Sequence, residues 1–297
     1  MKNTPFIAVT SQPVPYHADT TAIFNTLCKQ NSNSLLLDSA EIGSKNSLQS
    51  LILINATVKI TCLGNQVTFR ALNANGKQVL NEIHPVLSQL GTVSAVNFDN
   101  EFSVQFAQLD NQLDEDSKLQ AATIFDGLRV ISNHYQHSST PVFLGGLFAY
   151  DLVANFIPMQ GVELKDDGIH CPDYSFYLAE NLITIDHQSQ QATLKSFCFS
   201  QEEQVEVAKT ALSIAQKLKN IDGVFSIKAA SDEVSTNFED PEFIGIVKAL
   251  KHHINIGDVF QIVPSRRFSL ACPNTLASYA QLKLNNPSPY MFYMNDE

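Results

Sequence analysis

The run Asn286-Pro287-Ser288-Pro289-Tyr290-Met291-Phe292 limits the folds open to this 297-residue chain more than any other stretch. Proline fixes φ, so prolines on both sides of Ser288 make a stiff, pre-set backbone. They also exclude the run from a central strand, and it reads as a rigid turn. The Tyr290-Met291-Phe292-Tyr293-Met294 that overlaps and follows it reads as a strand entering a core. A second unusual run, Leu35-Leu36-Leu37-Asp38-Ser39-Ala40, lies far upstream.

The length suits one large domain or two ordinary ones. Hydrophobic residues at 44% and charged residues at 16% are globular values. A net charge of −11 speaks against nucleic-acid binding, which needs a basic face to displace counterions, and Arg266-Arg267 is one pair rather than a patch. The five cysteines (Cys28, Cys62, Cys171, Cys198, Cys272) are odd in number and scattered. That pattern suits free thiols in a reducing compartment better than a disulfide framework or a zinc site. The polar start and the lack of a membrane-length apolar run predict a cytoplasmic protein that does not engage membranes.

Alternation at Val58, Ile60 and Cys62, then at Val67, Phe69 and Ala71, predicts two strands joined by a hairpin at Gly64-Asn65. Gln78–Leu90 has helical spacing, with Pro85 expected to kink or split it. Asn111–Lys118 reads as an exposed acidic connection. Val142–Val153 reads as a buried strand in which Gly145-Gly146 admits a close backbone. Tyr174–Phe199 reads as a long hairpin with its tip at His187–Gln190. Glu202–Lys219 predicts an amphipathic helix with Val205, Ala208, Leu212 and Ala215 on its apolar face.

The polar stretch Asp222–Asn237 reads as a linker, which divides the chain into residues 1–221, a linker at 222–238 and residues 239–297. After it, Asp240 as N-cap, Pro241 at the first position and Gly257 as stop delimit a helix. A strand over Val259–Val263 is expected next. Hairpins mixed with scattered helices give an α+β class. His134 and His137 have ligand-like spacing without a third ligand nearby, and His252-His253 suits the negative end of a helix dipole.

Residue chemistry alone goes no further, but five motifs in order resemble one family. Leu35–Ala40 is similar to a Leu-Leu-Glu-Ser-Ala motif. Gly145–Val153, Cys171–Glu180, Gly257–Phe268 and the Pro287–Met291 turn complete the set. Together they resemble the large subunit of anthranilate synthase. The resemblance implies an α/β/β/α arrangement with two packed antiparallel sheets, truncated at its C-terminus, with residues 1–221 regulatory and 239–297 the start of a chorismate-binding domain.

It further implies a lyase that converts chorismate and ammonia to anthranilate and pyruvate, with Mg2+ as cofactor. Ammonia would come from glutamine through an amidotransferase partner subunit, and L-tryptophan would act as feedback inhibitor. The family's magnesium ligands and catalytic histidine lie beyond the Pro-Ser-Pro-Tyr-Met turn, so no metal ligand is assigned, and the chain alone is expected to be inactive. Gln261 takes the position where water-using relatives carry a lysine base; glutamine accepts no proton at neutral pH, which suits an ammonia nucleophile. For tryptophan, the resemblance implies Ser39 with Pro289, Tyr290 and Met291, and Asp38 as a further candidate where glutamate is usual. The competing readings are an aminodeoxychorismate synthase fragment, disfavoured by Pro264–Arg267, and a non-enzymatic tryptophan-binding remnant.

Overall fold

A computed structural model describes residues 5–29, 31–39, 48–97, 100–108, 114–138, 140–157, 171–221 and 233–296. The chain divides into two compact units, Met1–Val224 with Asn285–Glu297, and Phe225–Leu284. In the first unit the chain runs through β1 (Ala8–Val14), α1 (Thr20–Cys28), β2 (Ser34–Asp38), β3 (Gln49–Leu63) and β4 (Gln66–Ala71). It continues through α2 (Ala74–Leu87), β5 (Thr92–Asn97), β6 (Glu101–Gln105), α3 (Glu115–Gln120) and α4 (Asp126–His134). After β7 (Leu144–Phe148) come β8 (Tyr174–Asp186), β9 (Gln191–Cys198) and α5 (Gln204–Lys217). The second unit holds β10 (Val234–Thr236), α6 (Asp240–Asn255), β11 (Phe268–Leu270) and α7 (Thr275–Asn285). The last strand, β12 (Met291–Asn295), returns to the first unit.

Ten of these strands form one sheet built on the long strands β3 and β8, which pair along most of their length. On the outer edge of β3, residues 51–53 hold β2, while residues 58–63 hold β4. On the outer edge of β8, residues 181–186 hold β9 and residues 174–178 hold β7. The sheet therefore has two halves that share β3 and β8, and register shifts between Leu53 and Val58 mark the change of partners. All its pairings are antiparallel, and β10 and β11 form a separate antiparallel ribbon. The class is α+β, as expected.

Val79, Ile83 and Leu87 of α2 and Ile131 of α4 join Val58, Ile60, Phe69, Phe102 and Tyr174 in one buried cluster. Fully burying each such aliphatic or aromatic side chain is worth about 1.5–3 kcal/mol. The hairpin at Gly64-Asn65 forms as read, with Gly64 at φ +58°. At Gly146 a Cβ would lie 2.1 Å from the Ser175 carbonyl oxygen, so β7 approaches β8 as only glycine allows.

Several expectations need correction. Pro85 lies in the last turn of α2 and does not split it, and Asn73 caps the helix a full turn earlier than the spacing suggested. The acidic connection contains the short helix α3, capped by Asp114 on the Ser117 amide; residues 111–113 of that stretch lie outside the described residues. In α5 the buried face is Val207, Ala211 and Ile214, whereas Val205 and Leu212 are exposed. The cap of α6 is Glu239 rather than Asp240, whose carboxylate instead accepts from Arg266 at 2.6 Å. Residues 234–236 of the expected linker are strand β10, and 222–232 lie outside the described residues. No strand forms over Val259–Val263, a segment that has no neighbouring strand to pair with among the described residues. No helix among the described residues is long and apolar enough to cross a membrane.

Candidate effector site and the chain's family

The two runs that stand out in the sequence meet in the sheet. β2 pairs with β12 in the register Asp38↔Met291, Leu37↔Phe292, Leu36↔Tyr293 and Leu35↔Met294. Ser39 is the residue after Asp38 and Tyr290 the residue before Met291, so both leave this pair at the same end of the ladder. Pro287 and Pro289, lacking amide hydrogens, fall just outside the paired residues, where a ladder donor is not needed.

β12 is pinned along its length. Tyr293 packs edge-on against Phe24 of α1 at 5.3 Å between ring centroids. Asn295 donates its side-chain amide to the Asn31 carbonyl at 2.7 Å. Asp296 accepts from Tyr177 Oη at 2.7 Å and forms an ion pair with Lys59. Toward the turn, Tyr290 is almost wholly exposed and Met291 is half-buried. An amino acid needs an apolar slot and polar partners for its charged ends; the register brings Ser39 and the turn to the same end of one strand pair.

Asp38 does not present its carboxylate as an unengaged ligand group. It is 5% exposed, and Oδ2 accepts from Thr20 Oγ1 at 2.8 Å while Oδ1 accepts from Ser50 Oγ. Thr20 opens α1, whose N-terminus is capped by Asp19 accepting from the Thr21 and Ala22 amides at 3.0 Å each. Ser50 in turn lies 2.9 Å from His187 Nε2 at the β8–β9 tip. Sequence reading singled out neither Thr20 nor Ser50, and read His187 only as turn; their meeting is long-range, and no local spacing signals it.

In the second unit Gln261 is exposed, following the fully exposed Phe260 and preceding Ile262, which is 39% exposed. Arg266 is the organising group of this unit. Its guanidinium donates to Thr236 Oγ1 at 3.0 Å and to Asp240, and lies over the Phe268 ring at 4.7 Å. His134 Nε2 donates to Glu82 Oε2 at 2.9 Å, an oxygen that also accepts from Tyr135 Oη, and His253 contacts Asp258. Among the described residues no group of three or more His, Cys, Asp or Glu side chains could hold a metal ion.

Residues 83–297 match the profile of the chorismate binding enzymes, and the chain belongs to that family. Within it, the chain is 86% identical over 292 residues to anthranilate synthase component 1 of Haemophilus influenzae, covering 98% of this chain and 56% of that protein. It is 44% identical over 307 residues to the Vibrio cholerae protein of the same name, covering 100% of this chain and 57% of that one. The solved anthranilate synthase component I of Streptococcus pneumoniae shares the fold, with a TM-score of 0.50 at 17% identity over 84% of this chain and 48% of that one. The chain thus spans about half the length of these relatives.

Proposed function

We propose that this chain serves in anthranilate synthase, the enzyme that converts chorismate and ammonia to anthranilate and pyruvate at the start of tryptophan synthesis. Its first unit binds L-tryptophan as feedback inhibitor. Its working partners on this reading are a glutamine amidotransferase subunit, chorismate and Mg2+, in the cytoplasm. The observation that carries the effector reading is the β2–β12 pairing, which sets Ser39 and the Pro289–Met291 turn side by side across most of the sequence. Ser39 offers a hydroxyl to a charged end of the amino acid, and Tyr290 and Met291 flank the indole. Inhibition follows if the ligand favours one of two conformations rather than occupying the chorismate site.

The test is Ser39→Phe in the intact protein. Losing one hydrogen bond to a charged group costs about 1.5–3 kcal/mol, and the added ring fills the slot. Initial rates of anthranilate formation, followed by its fluorescence with and without tryptophan, should show inhibition abolished. A variant still inhibited at the wild-type tryptophan concentration removes Ser39 from the site.

A further inference from the structure

The bonds behind Asp38 form a chain with a direction. Ser50 has one hydroxyl hydrogen and gives it to Asp38 Oδ1. His187 Nε2, 2.9 Å from the same Oγ, must then carry the hydrogen between them. In the neutral ring that leaves Nδ1 as acceptor, and Tyr16 Oη lies 3.2 Å from it. The order is Tyr16 O–H to His187, His187 N–H to Ser50 and Ser50 O–H to Asp38, with Thr20 O–H closing on the other carboxylate oxygen. Every donor points toward the carboxylate, and in such a chain each bond polarises the next.

The chain is anchored at His187 and critical where it ends. The β8–β9 turn that carries His187 is fixed by Asp186, whose Oδ1 accepts from the Gln188 and Ser189 amides at 2.9 Å each. The His187 amide itself donates to the Leu48 carbonyl at 3.0 Å, tying the turn to the start of β3. At the other end, Asp38 is the last residue of β2, the partner of Met291 and the neighbour of Ser39. The Asp38–Ser50 bond also closes the base of the connection between β2 and β3. A buried carboxylate that loses a donor must find water or another partner, and either moves the end of β2.

We infer that His187 and Ser50 are positioning residues for the effector site: through Asp38 they hold Ser39 and the Tyr290–Met291 turn in the geometry that tryptophan binds. This rests on the effector reading above. The experiment is calorimetric titration of the intact protein with L-tryptophan for wild type, His187→Leu, His187→Gln, Ser50→Ala, His187→Leu/Ser50→Ala and Ser39→Phe. His187→Leu and Ser50→Ala should each weaken binding about tenfold or more, the scale of one hydrogen bond to a charged group. His187→Gln, which keeps an N–H near the position of Nε2, should bind within about threefold of wild type. The double variant should bind no more weakly than Ser50→Ala alone, because both changes cut one chain.

Wild-type binding by His187→Leu, or equal losses in His187→Leu and His187→Gln, overturns the proposal, the second by showing that ring packing matters rather than the donated hydrogen. Ser50→Ala deletes a single oxygen and decides the matter if His187→Leu does not fold. Wild-type binding by Ser39→Phe overturns the effector reading itself. Loss in Ser39→Phe together with wild-type binding by Ser50→Ala leaves that reading standing and removes the positioning chain.

Discussion

Glu180 lies in mid-β8 with 6% of its surface exposed, and its Oε2 accepts from the side-chain amides of Asn73 at 2.8 Å and Asn75 at 2.9 Å. Asn73 caps α2, and Asn75 also binds the backbone of Phe197 in β9 and of Phe199 just beyond its end, so one carboxyl joins a helix terminus to two strands. Burial raises its pKa above the ordinary value of 4.5, against the lowering effect of the two asparagines, and Glu203 adds to the rise. The folded state therefore holds this proton more tightly than the unfolded chain. On this account stability is greatest below the ordinary value, falls as pH rises through the window up to the raised one, and stays reduced above it. Glu180→Gln should remove that slope. Urea midpoints of wild type and variant, taken in steps from about pH 4 to about pH 8, should show wild type losing ground to the variant as pH rises. Parallel profiles would mean that the carboxyl ionises freely in place.

At the scale of elements, α5 shows how a correct helix can carry a wrong face. Val205, Ala208, Leu212 and Ala215 keep helical spacing, and so do Val207, Ala211 and Ile214; the sequence presents two apolar stripes. The second is buried because α5 contacts β9 and α1, partners fixed by long-range topology. Ile214→Ala should cost about 2–5 kcal/mol, whereas Leu212→Ala should stay within about 0.5 kcal/mol, as chemical denaturation of the two variants will show. Similar costs for both would restore the expected face. Legibility follows the same line elsewhere. The Gly64-Asn65 hairpin and the β8–β9 hairpin were readable because their signals are local. Ser39 and Met291 were readable as members of motifs, but their juxtaposition depends on β12 crossing back to β2. Thr20, Ser50 and His187 were not readable, since a threonine, a serine and a turn histidine are ordinary until topology makes them neighbours.

Taken whole, the molecule distributes its core unevenly. The first unit has two central strands paired on both edges and an extended apolar cluster. In the second, no residue of α6 is buried, β11 is exposed throughout, and Ile244, Phe260, Val263, Phe268 and Leu270 face water. Few buried contacts mean low local stability. In this chain, hydrogen exchange followed by mass spectrometry should find α6 amides exchanged long before those of β3 and β8. Equal protection would show that α6 and the central strands open as one cooperative unit.

The β2–β12 pairing also has a consequence in time. β2 joins β3 within a short stretch of chain, but its other neighbour is encoded some 250 residues later. At roughly 5–20 residues per second, a ribosome needs about 10–50 s to supply it. Throughout that interval the Leu35-Leu36-Leu37 strand offers an unpaired edge, the kind of template that recruits strands from other chains. Slow synthesis, or a stall between the codons for β2 and those for β12, therefore leaves β2 exposed to such pairing.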